Sequence, residues 1–289
     1  LHVSNIPEEL PGREKEYQEI LIHLSSAIKD KVSCCLYIAG VPGTGKTVTV
    51  KKVINKLEQS AKLKKLEAFN YLEINGMQLS EPNQIYSKLW QAFTGDKFSD
   101  MHALNCLNEY FEDKRKIQNN KLWVIVIDEL DLLMNKSQSI LYNLFEWPFK
   151  KHGKMVLITI ANTMDLPERL LENKVASRLG LTRVLFNPYT FQQLQIIIQH
   201  RLSQFNVFYD DGGIEICSRK VAAISGDARR VLDICRRAVE ILENDIEFQY
   251  KNKLSIKLIN TVIKEMYQSP IIKVIQTINL YQKLILIAF

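Results

Sequence analysis

Eight residues, Gly40-Val41-Pro42-Gly43-Thr44-Gly45-Lys46-Thr47, fill the pattern GxxxxGKS/T at every required position. The run follows an apolar stretch, "CCLYIA", and opens a helical one, "KTVTVKKVINKL". That strand–loop–helix context is what a phosphate-binding loop needs. Gly43 and Gly45 permit backbone conformations that turn successive N–H groups inward as an anion nest, and the helix behind adds the positive end of its dipole. Lys46 can then reach the β and γ phosphates of a nucleotide, and the Thr47 hydroxyl can bind Mg²⁺. A chain built on this loop is confined to a parallel α/β sheet with crossover helices.

The remaining pattern agrees. Short apolar runs start at Cys34, Phe69 ("FNYLEIN"), Leu122 ("LWVIVID"), Met155 ("MVLITIAN") and Arg183 ("RVLF"), separated by helical periodicity. They are continuously apolar, so they read as strands covered on both faces. After "NPYT" at Asn187 helical periodicity takes over, with Thr190 as an N-cap and helices expected over 213–225, 228–243 and 255–266. The expected division is a nucleotide-binding α/β core over 1–188, an all-helical lid over 189–267, and the start of a further domain over 268–289.

At the end of the third run, "IVIDELDLL" places Asp128, Glu129 and Asp131 together. A phosphate loop gives two of them work: Asp128 for the metal and Glu129 as the base that orients water against the γ phosphate. Asp131 has no such requirement; a helix N-terminal charge, a neighbouring-subunit contact and a core-edge hydrogen bond all suit it. The fourth run ends in Asn162, which is either a turn residue or a group reaching the γ phosphate or the attacking water. Arg178 and Arg183 in "SRLGLTR", and Arg229 in "SGDARR", are either cations for transferred phosphoryl oxygens or surface ion-pair partners. No GxSxG elbow and no GxGxxG fingerprint after a strand offers a rival chemistry.

Charge narrows the partners only slightly. Subtracting 32 acidic from 38 basic residues leaves +6, compatible with nucleic acid and equally with solvated lysine-rich helices. The basic "EDKRKIQNNK" around Lys114 and Arg115 is either a phosphate contact or a solvated loop. Five cysteines without CxxC spacing read as free thiols in a reducing compartment, and five scattered histidines suggest no zinc. The apolar tail from Ile271 is broken by Lys273, Gln276, Asn279, Gln282 and Lys283 at helical intervals, so an amphipathic helix is expected and not a membrane span. Leu1 in place of a methionine suggests a piece of a longer chain.

Longer stretches carry more. "CLYIAGVPGTGKTVTV", "VIDELDLLMNKSQSILYNLFEWP", "IANTMDLPERLLENKVASRLGLTR" and "SGDARRVLDICRRAVEI" resemble the largest-subunit family of the eukaryotic origin recognition complex, which are AAA+ initiator ATPases. "LHVSNIPEELPGRE" and "YLEINGMQLSEPNQIY" fit the same family, so the resemblance spans essentially the whole chain. It implies a RecA-like five-stranded core, a helical lid and then a winged helix, here beginning near Pro270 and cut after one helix.

By the resemblance, Lys46 and Thr47 match Walker A, Asp128 and Glu129 Walker B, Asn162 sensor 1 and Arg229 the lid's sensor 2 arginine. The "PGRE" at Arg13 matches the segment bordering the adenine, and Arg178 occupies the neighbourhood of an arginine finger acting on the next subunit's nucleotide. The implied function is a nuclear, ATP-dependent origin-binding subunit that closes with partner subunits around duplex DNA and helps load the replicative helicase. The cofactors are ATP and Mg²⁺, and the partners are other complex subunits and the helicase-loading factor, with no membrane. Two rivals remain: the paralogous helicase-loading ATPase, and a ring subunit that binds ATP without cleaving it.

Overall fold

A computed structural model of the chain describes residues 10–112, 121–133, 139–163, 182–203, 208–244, 253–267 and 279. These fall into two compact units that divide between Pro188 and Tyr189.

The first unit runs α1 (Glu14–Asp30), β1 (Cys34–Gly40), α2 (Lys46–Lys62), β2 (Asn70–Asn75), α3 (Gln84–Thr94), α4 (Asp100–Glu112), β3 (Trp123–Asp128), α5 (Ser139–Glu146), β4 (Met155–Ala161) and β5 (Arg183–Phe186). All five strands are parallel and lie in the order β2-β3-β4-β1-β5. The five apolar runs read from the sequence are these strands, with ends shifted by at most one residue.

Alternation along a strand sends successive side chains to opposite faces, and here both faces are buried. Cys35, Tyr37, Ala39, Ile125, Ile127 and Leu157 face one way, into a core closed by α3, α4 and α5 through Tyr86, Leu89, Leu107, Leu141 and Phe145. Leu36, Ile38, Val124, Val126, Ile158 and Ile160 face the other, under α1 and α2 through Ile20, Leu24, Val53 and Leu57. That two-sided cover is why the runs read as continuously apolar. The edges differ: β2 is only partly buried and Leu185 of β5 is half exposed.

The second unit holds α6 (Phe191–Ser203), β6 (Phe208–Tyr209), α7 (Asp211–Ile224), α8 (Ala228–Asn244), β7 (Lys253–Leu254) and α9 (Ile256–Tyr267). Thr190 caps α6 reciprocally: its Oγ1 accepts from the Gln193 N–H at 3.3 Å, and Gln193 Oε1 accepts from the Thr190 N–H at 3.0 Å. The helices share a core of Leu194, Ile198, Ile214, Val221, Ile234 and Val262. One feature departs from the all-helical expectation. β6 and β7 form a two-residue parallel pair, whose short length leaves no period-two signal in the sequence. The winged-helix segment expected from Pro270 lies outside the described residues apart from Asn279.

Candidate functional site

Strand order decides what meets at the carboxyl edge of the sheet. β4 lies between β1 and β3, so the loop after β1 and the acids after β3 stand two strand spacings apart, about 10 Å. The tip of β4, Asn162, falls between them.

The loop itself is built by its glycines. Gly43 and Gly45 have φ of 75° and 86°, in the left-handed region that a side chain disfavours. Gly40 is needed for another reason: a Cβ there would sit 2.4 Å from the Phe186 carbonyl oxygen of β5. Thr44 ties the loop internally, its Oγ1 donating to the Val41 carbonyl at 2.8 Å.

Lys46 is only 6% exposed, and its Nζ donates to the carbonyls of Gly40 at 2.6 Å and Val41 at 3.1 Å, and to Asn162 Oδ1 at 2.9 Å. On its other side, Asn162 Nδ2 donates to Glu129 Oε2 at 2.6 Å. This amide orientation is fixed by chemistry, because an ammonium only donates and a carboxylate only accepts. Asn162 therefore bridges the loop lysine and the acid after β3. Thr47 Oγ1 donates to Asp128 Oδ2 at 2.9 Å, a second link over the same gap.

Glu129 takes φ of 55°, one of the few non-glycine residues with positive φ among those described. That conformation costs about 1–3 kcal/mol. It is held by the Glu129 N–H donating to Asp128 Oδ1 at 2.9 Å and by the Leu132 N–H donating to the Glu129 carbonyl at 3.1 Å. The strained residue is thus the entry to a 3₁₀ turn, Leu130–Leu133, whose Leu130 and Leu133 are buried. Gly76, after β2, packs on this entry: a Cβ there would lie 2.6 Å from the Glu129 carbonyl oxygen.

Two residues acquire partners that the sequence did not name, although a hydrogen bond at the core edge was among the roles open to Asp131. Asp131 accepts the Asn162 N–H on Oδ2 and the Thr163 hydroxyl on Oδ1, both at 2.7 Å. Arg13 is 2% exposed, and its guanidinium is directed to protein groups. Nε donates to the Thr44 carbonyl at 3.0 Å, Nη1 to Glu16 at 2.7 Å and Nη2 to the Asn187 carbonyl, with Phe186 stacked 5.2 Å away. It braces the phosphate loop against the end of β5. The "PGRE" spelling marked this segment but not what its arginine holds.

The other arginines are placed differently. Arg183 is the first residue of β5, in register with Tyr37, three residues short of Gly40; it starts a strand instead of standing at the loop edge. Arg229 belongs to the second unit, exposed in the first turn of α8, where its N–H donates to Asp227 Oδ1 at 2.7 Å. Arg178, Lys114 and Arg115 lie outside the described residues.

The family model described as "ATPase family associated with various cellular activities (AAA)" matches residues 36–183, more than half of the chain. The chain belongs to the AAA ATPase family. An AAA lid domain model matches residues 197–264 of this AAA ATPase as well. Among curated proteins it is similar to human origin recognition complex subunit 1, 51% identical over 243 residues that cover 84% of this chain and 28% of the relative. The Schizosaccharomyces pombe subunit 1 is 45% identical over 291 residues, covering 100% of this chain and 40% of that protein. The AAA ATPase thus spans well under half the length of these relatives.

Among solved structures, a chain of the Drosophila origin recognition complex bound to DNA superposes with a TM-score of 0.86 at 40% identity, covering 97% of this chain and 67% of that one. The Aeropyrum pernix ORC1 protein in complex with DNA follows at 0.74 and 25% identity, covering 99% and 73%. The resemblance to the largest-subunit family read from the sequence therefore extends over nearly the whole AAA ATPase.

Proposed function

We propose that this chain is the ATP-hydrolysing initiator subunit of an origin recognition complex, binding origin DNA with its partner subunits in the nucleus and helping to load the replicative helicase. The observation that carries the ATPase part is the continuous polar link across the sheet edge, from Lys46 through Asn162 to Glu129, beside the Thr47–Asp128 pair. The DNA part rests on the likeness to relatives solved with DNA.

Residues 40–47 hold the phosphates, with nest N–H groups from the loop and charge from Lys46. Thr47 and Asp128 offer hard oxygen donors 2.9 Å apart, a donor set that suits Mg²⁺. Bound there, Mg²⁺ would neutralise developing phosphate charge. Glu129 orients and deprotonates the attacking water, and Asn162 sets its carboxylate. Following the resemblance, Arg229 acts as the lid arginine, the Arg13 segment borders the adenine, and Arg178 serves a neighbouring subunit's nucleotide, most simply that of the helicase-loading factor. A partner's arginine completes the site of this chain, so the isolated protein turns over slowly.

Glu129→Gln in the assembled complex tests this reading. ATP binding should persist while hydrolysis falls by at least about a hundredfold; unchanged hydrolysis overturns the assignment of the base, and a complex with no hydrolysis before mutation points to ATP as structural glue. Lys46→Ala should weaken ATP binding, and full retention of binding removes the phosphate loop from the site.

A further inference from the structure

Asp131 is the acid that phosphate-loop chemistry leaves over, and its contacts give it a role. β4 pairs with β1 as far as Ala39 and Ala161, so the next two residues have no ladder to hold them. Three bonds replace it. Asp131 Oδ2 accepts the Asn162 N–H, Asp131 Oδ1 accepts the Thr163 hydroxyl, and the buried Tyr37 of β1 donates its OH to the Thr163 carbonyl, each at 2.7 Å. Asp131 is itself fixed in the turn whose Leu130 and Leu133 are anchored in the core.

We propose that Asp131 is a positioning residue for ATP hydrolysis: it clamps the tip of β4 so that the Asn162 amide faces Lys46 on one side and Glu129 on the other. The inference rests on the ATPase reading of the site. Glu129 and Asp131 are two residues apart on one turn, and both grip Asn162, one by the side-chain amide and one by the backbone N–H. The grip closes a ring through the 129–131 backbone and Asn162. With the backbone arm cut, the main chain at Asn162 can shift and carry its side-chain amide out of line with Lys46 and Glu129, and Glu129 loses the partner that sets its carboxylate. The phosphate loop is built from β1 and α2; the Lys46–Asn162 bond links it to this ring, but Lys46 is also held by the Gly40 and Val41 carbonyls, so the loop keeps its shape when the ring opens. Misplacement of a reacting group by such a loss acts on the chemical step more than on binding.

The test uses the full-length protein assembled with its partner subunits and measures kcat and KM for ATP. Asp131→Ala should lower kcat about tenfold or more with KM within about twofold. Asp131→Asn should keep kcat near the parent value, because the carboxamide can still accept from the Asn162 N–H and donate to the Thr163 hydroxyl. An unchanged kcat in Asp131→Ala overturns the clamp. A loss in Asp131→Asn as large as in Asp131→Ala overturns it too, since charge and not geometry would then be the cause.

If Asp131→Ala does not fold, Thr163→Val cuts one arm at an exposed residue and should still lower kcat a few-fold at unchanged KM; no change there counts against the clamp. Glu129→Gln run in parallel separates the two failures. If it abolishes hydrolysis while the Asp131 variants behave as the parent, only the clamp is wrong; if it leaves hydrolysis intact, the reading of the site is wrong.

Discussion

Arg13 shows how much of a local structure one buried side chain can hold together. Its five donors are planar and fixed in direction, and they join the Thr44 carbonyl, the Glu16 carboxylate and the Asn187 carbonyl from one buried position. Lysine has the charge but not the fork. Arg13→Lys should therefore lose most of what Arg13→Ala loses, with Ala costing about 2–4 kcal/mol of stability; matched chemical denaturation curves of the two variants check it. Burial also governs Cys34. Burial pushes its thiol from an ordinary 9.0 up to about 11. The folded state holds that proton more tightly than the unfolded chain, so this contribution to stability is whole below pH 9 and is lost as pH rises through 11. Alkylation of Cys34 in the native protein should stay slow at pH 8 and accelerate toward pH 11, followed by peptide mass spectrometry.

At the level of elements, the turn after β3 and the tip of β4 behave as one unit around Asn162, and the end of β2 supports them from the other side. Gly76 packs against the Glu129 carbonyl, where a Cβ would stand at 2.6 Å. Gly76→Ala must push the Glu129–Leu130 peptide away from its place, at a residue already strained at φ of 55°. The expected result is a loss of about 1–3 kcal/mol in thermal unfolding, together with a fall in ATP hydrolysis larger than the fall in ATP binding. The strands were legible in the sequence because burial on both faces leaves runs dominated by Val, Ile and Leu, as in "WVIVID" and "MVLITIA". The β6–β7 pair was not, because two residues carry no period.

For the whole molecule, the division between Pro188 and Tyr189 puts residues 40–47, Asp128 and Glu129 in one unit and Arg229 in the other. Arg229 is exposed, so Arg229→Ala should change the melting temperature little, within about 0.5 kcal/mol, while ATP hydrolysis in the assembled complex falls at least about tenfold; calorimetry and turnover on the same preparation separate the two. The available chemistry is legible locally: a phosphate loop spelled by residues 40–47, acids at a strand end, and an arginine at a helix start, because each is a local pattern of side chains and backbone needs. Which of these meet is a matter of packing. Strand order set β4 between β1 and β3, and that placed Asn162 against both Lys46 and Glu129 and gave Asp131 its partners on residues 162 and 163. Lateral order in a parallel sheet is settled by how helices cover its two faces, a sum of many weak contacts with no single spelling in the chain.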